Sequence, residues 1–428
     1  MSKEICIIGL GYIGLPTAAM FAKAGWKVTG VDVNLVAVDK LNKGEIHIEE
    51  VGLGDLVKDV VNNGNLKAQT SPSKADCFII AVPTPHNEDN TANLTYVIEA
   101  TRAILPFLRE GNKVIVESTI PPRTINDVVA PLLLEAGWDP GEDIYLAHCP
   151  ERVLPGRILI ELVENTRIVG GVNEISAQKA AEVYRSFVTG EILTTSALSA
   201  EMSKLMENTY RDVNIALANE LVKISEKLSV DALEVIQLAN YHPRVNLHQP
   251  GPGVGGHCLA VDPYFIIEKA PKESELIANA RKINNSMPKF VTDLVNELLP
   301  NNASKIAVLG LTYKGNIDDV RESPAMEVLG ILQKEGYKLG IYDPHVQQNQ
   351  VNFYLSTFKE AVKDAECILV LTDHNEFKQL DEVVILNLMK SPSILDMKNC
   401  VKVDSPEIKY INFGNLVELK KEKVLSLT

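Results

Sequence analysis

Cysteine is scarce in this chain and widely spread. Six occur in 428 residues, at 6, 77, 149, 258, 367 and 400, and no two stand in a CxxC pair. A disulfide framework and a clustered zinc site are therefore not expected; reduced thiols, a cytoplasmic setting and no bound metal are. Positive charge is also in deficit. Lys and Arg total 42 against 56 Asp and Glu, a formal net charge of −14. Such a surface suits neither nucleic acid nor an anionic membrane, although backbone amides can still hold a small anion locally. No apolar run approaches the ~18 residues of a membrane-spanning helix, so no membrane insertion is expected. The opening MSKEICIIGLGYIG is short, broken by glycine, and does not read as a signal peptide.

What remains is an ordinary globular composition, 46% hydrophobic and 23% charged, long enough for two or three domains. The first block alternates helical patterns with short, nearly continuous apolar runs: EICIIGLG (4–11), KVTGVDV (27–33), CFIIAVP (77–83), KVIVES (113–118), IYLAHCP (144–150) and TRIVGG (166–171). Strands of a parallel sheet covered on both faces look like this. Residues 199–228 contain neither Gly nor Pro. Met202, Leu205, Met206, Val213, Leu217, Leu221, Ile224 and Leu228 recur there near a 3.6 period, with Ser199 as an N-cap. A helix of that length spans about 45 Å, enough for a bridge or a dimer spine. Helical patterns continue at 231–240 and 272–299, and the α/β rhythm restarts with KIAVLG (305–310), KLGIYDP (338–344), CILVLTD (367–373) and SILDMKN (393–399). The expected fold is α/β: two doubly wound parallel sheets, in 1–197 and 301–428, joined by a helical middle domain, 198–300.

Gly9-Leu10-Gly11-Tyr12-Ile13-Gly14 follows the first strand and opens a helix. The first glycine permits the tight turn, the second lets a pyrophosphate approach the backbone, and the third lets helix and strand pack closely. Asp32, 18 residues beyond Gly14, ends the next strand, where a carboxylate accepts hydrogen bonds from a ribose and repels a 2′-phosphate. NAD is therefore favoured over NADP.

PGPGVGGHCLAVDP, residues 250–263, presents Cys258 at the end of a glycine-rich loop, just before an expected helix capped by Asp262 with Pro263 in its first turn. The thiol is either a small buried apolar group or a nucleophile. Lys204 and Asn208, four apart on the long helix, share a face with Arg211. That face is either solvated or suited to stabilising an oxyanion. Three polar loops, Val82-Pro83-Thr84-Pro85, Glu117-Ser118-Thr119 and Cys149-Pro150-Glu151-Arg152, end strands on the edge where such sheets bind ligands. Thr119 is a helix cap or a ligand contact, and Glu151 half of a salt bridge or a substrate-facing base.

The ordered set GLGYIGLPTA, VDVN, AVPTP, EST, CPERVLPG, AEMSKLMENTYRDVNIALANE, HPRVN, GPGVGGHCLAVDP and GLTYKGNIDDVRESPA covers essentially the whole chain. It resembles the UDP-glucose/GDP-mannose dehydrogenase family. Val254 and Val261 stand where members acting on UDP-glucose carry phenylalanine and lysine, and His257 precedes the cysteine. These features match the branch acting on UDP-N-acetylhexosamines, with UDP-N-acetylmannosamine the expected substrate and the N-acetylglucosamine, N-acetylgalactosamine and glucose counterparts as alternatives. The resemblance implies a four-electron oxidation of the sugar C6 alcohol with two NAD, serving surface polysaccharide or capsule synthesis. It implies that Cys258 forms a thiohemiacetal and then a thioester, that Lys204 and Asp262 handle the alcohol proton, and that Asn208, Glu151 and Thr119 complete the catalytic set. On the cofactor side it implies Gly9, Gly11, Tyr12, Ile13, Gly14, Asp32, Pro83, Thr84, Thr119 and Arg321. On the sugar side it implies Glu151, Arg152, Lys204, Asn208, Asn246, Gly253, Gly255 and Lys314, with Arg244 reaching the sugar from a neighbouring subunit of a homodimer or larger homo-oligomer. A non-catalytic NAD-binding regulator is the alternative of another class, and a hydroxyacid-type dehydrogenase accounts for neither Cys258 nor the third block.

Overall fold

The computed structural model describes residues 3–154, 156–299 and 301–419. Their contacts gather into two compact units, one of residues 1–207 with 264–271 and one of 208–263 with 272–428.

The first unit is built on an eight-stranded sheet: β1 (Glu4–Ile8), β2 (Lys27–Val31), β3 (Leu66–Gln69), β4 (Cys77–Ile80), β5 (Lys113–Val116), β6 (Tyr145–His148), β7 (Arg167–Gly171) and β8 (Ile192–Ser196). Their spatial order is β3-β2-β1-β4-β5-β6-β7-β8. Every pair is parallel except β6 with β7, joined antiparallel through Ala147–Gly171 and His148–Gly170. The sheet is thus mixed at one end rather than wholly parallel as expected. Both faces are covered. Ile5, Ile7 and Ile79 enter one apolar cluster, while their neighbours Cys6, Ile8 and Ile80 enter another. That double burial is why these strands read as continuous apolar runs.

The second unit holds a five-stranded parallel sheet of β9 (Lys305–Leu309), β10 (Lys338–Tyr342), β11 (Cys367–Val370), β12 (Ser393–Asp396) and β13 (Lys409–Asn412), in the order β10-β9-β11-β12-β13. Again the faces alternate, with Ile306, Val308 and Leu369 in one cluster and Ala307, Leu309 and Ile368 in another. Three strands were not expected from the sequence: β3, β8 and β13. All three lie at sheet edges, where half-exposed residues such as Leu66-Lys67-Ala68-Gln69 need no continuous apolar run.

The long helix runs from Ala197 to Leu228. One expectation about it needs correction. Ser199 is not its cap; the hydroxyl of Ser196 accepts from the Ser199 N–H at 3.1 Å, one turn earlier. Of the eight residues in its apolar repeat only Leu205 is buried. The buried line instead includes Glu201, Thr209, Asp212, Asn219 and Ser225. Three of these polar residues are held by bonds. Glu201 accepts from the Arg123 and Ile125 N–H groups. Asp212 pairs with Arg281 at 2.6 Å and takes Asn284 Nδ2 at 2.8 Å. Asn219 donates to Asn284 and accepts from the Gly251 N–H. Bonds of this kind let polar groups fill core positions, although Thr209 Oγ1 and Asp212 Oδ2 have no hydrogen-bond partner among the described residues. Among the described residues, no helix is long and apolar enough to cross a membrane.

Candidate active site

In the first unit the order of strands reverses beside β1, and the loops after β1, β4, β5 and β6 lie at the carboxyl edge of the sheet, where ligands bind in such folds. The three glycines of 9–14 have different duties. Gly9 sits at φ 91°, and a Cβ there would stand 2.4 Å from the Ala81 carbonyl oxygen. A Cβ on Gly14 would stand 1.8 Å from the Gly9 oxygen. A Cβ on Gly11 would meet nothing within 4 Å among the described residues. Two glycines therefore make the turn and the third leaves open space above it, as a pyrophosphate requires. Asp32 accepts from the Leu10 and Asn34 N–H groups at 2.9 Å each and stays half-buried. These residues fit NAD. Tyr12 is exposed beside them and Ile13 half-buried.

The next loops are tied together. Thr84 donates to the Thr119 carbonyl at 2.6 Å, and Ser118 to the Val82 carbonyl at 2.7 Å. Pro83 and Thr119 are consequently held on adjacent strand ends, and Thr119 begins no helix. Beneath them, Arg167 of β7 lies between two carboxylates, 3.1 Å from Glu151 and 3.6 Å from Glu117, over the Tyr184 ring. Glu117 also accepts from the Tyr184 hydroxyl at 2.6 Å and the Thr17 hydroxyl at 3.3 Å. Burial pushes its carboxyl up to about 7, Arg167 pulling the other way. Glu151 accepts from the Arg152 N–H at 2.6 Å, and Arg152 reaches Glu207 of the long helix at 2.6 Å. Lys204, half-buried, precedes Glu207 on that helix. Nothing in the motif pattern flagged Arg167, Tyr184 or Thr17, because they come from a strand and two helices whose sequences read as ordinary core.

In the second unit the glycine loop lies against residues 313–324. A Cβ on Gly255 would stand 2.3 Å from the Glu322 oxygen, one on Gly253 3.0 Å from Pro324, and one on Gly256 2.9 Å from the Tyr313 ring. The Cys258 carbonyl accepts from the Val261 and Asp262 N–H groups. This turn leads into the helix Asp262–Lys269, of which Asp262 is the first residue rather than a cap outside it. The Asp262 carboxylate takes Asn208 Nδ2 at 2.6 Å. Cys258 is half-buried. The other thiols are pushed upward by burial: Cys6 to about 11, Cys149, Cys367 and Cys400 to about 12, and Cys77 as well. A thiol raised in this way is a poor nucleophile at neutral pH; Cys258 is the candidate because the glycine loop presents it, half-buried, just before a helix. Arg321 is paired through two nitrogens with Asp319, at 2.7 and 2.9 Å, and lies 3.3 Å from His257 Nδ1. Arg244, Asn246 and Lys314 are exposed, the first two on the segment before the glycine loop and the third in the turn after β9.

A dinucleotide turn in the first unit, with a presented thiol and a second nucleotide-type sheet in the other, defines a class. The chain belongs to the UDP-glucose/GDP-mannose dehydrogenase family, whose NAD-binding domain matches residues 3–188, central domain 198–286 and UDP-binding domain 307–403. The family consists of NAD-dependent nucleotide-sugar oxidoreductases. The chain is 50% identical over 405 residues to the UDP-N-acetyl-D-mannosamine dehydrogenase of Methanocaldococcus jannaschii, covering 93% of each. A structure of the UDP-N-acetyl-mannosamine dehydrogenase from Staphylococcus aureus is 52% identical, with a TM-score of 0.90, covering 97% of this chain and 100% of that one. A UDP-glucose dehydrogenase from Pyrobaculum islandicum keeps the fold at a TM-score of 0.83 but only 28% identity, over 97% and 98% of the two chains.

Proposed function

We propose that the protein oxidises the C6 alcohol of UDP-N-acetyl-D-mannosamine to the carboxylate, consuming one water and two NAD and releasing three protons. The observation that carries this reading is Cys258, a half-buried thiol at the end of a loop in which Gly253, Gly255 and Gly256 are packed too tightly for side chains. The identity to relatives named for this sugar supports the choice of substrate.

Bound NAD supplies a hydride acceptor for each of the two oxidations. Lys204 and Asp262, with water, take the proton of the C6 hydroxyl, and Asn208, which donates to Asp262, helps hold the oxygen. Cys258 Sγ then bonds to C6 of the aldehyde, giving a thiohemiacetal. This adduct is needed because an aldehyde itself is a poor second hydride donor. Loss of that hydride leaves a thioester. Glu151 removes a proton from the water that adds to the thioester carbon, and the thiol departs. Each proton-transfer group contributes about 10²–10⁴-fold.

On the cofactor side the reading places Gly9, Gly11, Tyr12, Ile13, Gly14, Asp32, Pro83, Thr84, Thr119 and Arg321. On the sugar side it places Arg152, Asn246, Gly253, Gly255 and Lys314, and Arg244 from a second subunit. Functionally, 1–197 serves NAD, 198–300 carries the cysteine loop and self-association, and 301–428 serves UDP. Free, scattered thiols support a cytoplasmic setting, and an acidic amino sugar as product supports a role in surface polysaccharide synthesis.

The test is the number of NADH formed per UDP-N-acetyl-D-mannosamine consumed. Two, with an acidic product, is expected. Two from another UDP-N-acetylhexosamine and none from this one would keep the mechanism and change the substrate. None from any UDP-sugar would overturn the reading.

A further inference from the structure

The second sheet repeats the nucleotide-binding turn of the first. Gly310 follows β9 at φ 90°, as Gly9 follows β1 at φ 91°. The Gly310 N–H donates to the Tyr342 carbonyl at 3.0 Å, as Gly9 does to Val31 at 2.8 Å. The Leu311 N–H donates to Asp343 Oδ2 at 2.7 Å, as Leu10 does to Asp32 Oδ2 at 2.9 Å. The two turns then part. Asp32 is half-buried, with an edge toward solvent. The Asp343 side chain is 0% exposed and takes His374 Nε2 at 3.1 Å, and the His374 side chain is also 0% exposed. In a dinucleotide site this carboxylate meets a ribose. Here an imidazole fills that seat.

The other face of the imidazole is equally occupied. His374 Nδ1 accepts from the Asn316 backbone N–H at 2.9 Å. A nitrogen that accepts from an amide carries no proton, so the neutral ring holds its proton on Nε2, toward Asp343. The same loop is tied at further points to the turn after β11. Thr372 donates to the Thr312 carbonyl at 2.8 Å, and the Asn375 N–H donates to Asn316 Oδ1 at 2.9 Å. Thr312 donates to the Lys314 carbonyl at 2.8 Å. Asn316 itself is left-handed, at φ 61°. His345 stacks on His374 at 4.6 Å and approaches Glu376 at 3.3 Å. His345, His374 and Glu376 bring potential ligand atoms within 4.8 Å of one another, but both His374 nitrogens are already used, so the trio offers no third metal ligand.

We infer that His374 is a positioning residue for the UDP moiety: it carries the order of Asp343 across to the Asn316 backbone and so fixes the 312–316 turn that presents Lys314 to the diphosphate. This rests on the reading of Lys314 as a substrate contact. The same ring occupies the carboxylate that the first sheet leaves accessible at Asp32, so the second turn does not repeat the ribose contact expected of the first.

The test uses UDP binding by titration calorimetry on the intact protein, with NAD binding as the internal control. His374→Gln keeps a group near Asp343 and loses the acceptor for Asn316. His374→Asn places an oxygen near the former Nδ1 and restores that acceptor. Losing one hydrogen bond that orders the turn is expected to weaken UDP about tenfold in the Gln variant, with less than a twofold change in NAD affinity. The Asn variant is expected to recover most of the loss, and in turnover the Gln variant should raise the KM for UDP-sugar more than it lowers kcat. UDP affinity equal to the parent in the Gln variant, or equal loss in both variants, would overturn the inference. UDP failing to bind the parent at all would overturn the substrate reading along with it. Should the Gln variant not fold, amide exchange in the parent decides. The Asn316 N–H is expected to exchange slowly although its residue is exposed, and fast exchange there would refute the inference.

Discussion

Cys258 and Glu117 illustrate what a single residue reveals at two stages. The sequence marked Cys258 because a thiol ended a glycine loop, yet could not separate it from a buried filler. Half-burial separates it from Cys6, Cys77, Cys149 and Cys367, which are sealed in the sheets. Cys258→Ser should lower overall turnover by more than 10⁴-fold, beyond the usual loss of one proton-transfer group, while NAD binding by fluorescence stays at the parent level. Turnover within tenfold of the parent would remove the thiol from the mechanism. Glu117 was marked only as part of a polar loop at a strand end, since its partners Arg167, Tyr184 and Thr17 are far away in sequence. Its carboxyl, ordinarily near 4.5, is pushed up to about 7 by burial. The unfolded chain loses that proton near 4.5 and the folded one near 7. Its contribution to stability is therefore whole below about 4.5 and is lost as pH rises through about 7. Glu117→Gln, which keeps the shape and removes the titration, should match the parent in thermal melts near pH 5. It should melt several degrees higher near pH 8, each kcal/mol being worth roughly 2–4 °C in a domain of this size. Parallel curves for the two proteins would show that Arg167 fully compensates the buried charge.

Elements were legible where both faces of a strand are buried, and opaque where one face is not. The central strands announced themselves through runs such as CFII and KIAVL, as did the edge strand β10, while the other three edges, β3, β8 and β13, did not. The antiparallel turn of β7 against β6 was equally hidden, since its residues RIVGG read as well in either direction. The glycine turn of 9–14 is legible as a motif, but the division of labour inside it belongs to the structure and can be tested. Gly14→Ala drives a methyl into the Gly9 carbonyl and should cost about 1–3 kcal/mol of stability. Gly11→Ala meets open space, so melting should not move. The NAD affinity of that variant should nonetheless fall about tenfold, roughly 1.4 kcal/mol, because the methyl occupies the path of the pyrophosphate. A Gly11→Ala protein that binds NAD like the parent would place the pyrophosphate elsewhere.

At the scale of the whole molecule, the long helix shows that a regular apolar repeat need not face the core. The apolar residues do repeat along one line, but Met206, Leu217, Ile224 and Leu228 of that line are 44%, 49%, 48% and 66% exposed, and the inward line includes the bonded polar residues Asp212 and Asn219. Sequence alone cannot make this distinction, because a polar core line is recognised only when its partners Arg281 and Asn284 are seen beside it. The exposed line runs along one helix, a continuous apolar strip larger than scattered surface residues make. An isologous pairing of two copies buries such a strip on both chains at once. It also suits the reading in which Arg244 serves a neighbouring subunit. The parent protein is thus expected to be a dimer or larger at micromolar concentration by light scattering. Leu217→Glu with Ile224→Glu places two like charges on each copy's strip, without touching any residue given a role in the chemistry. That double variant should scatter as a folded monomer, retain NAD binding, and lose most turnover if a neighbouring arginine completes the site. A parent that is monomeric under these conditions would refute the pairing. A dimeric double variant would move the interface to another face of the second unit.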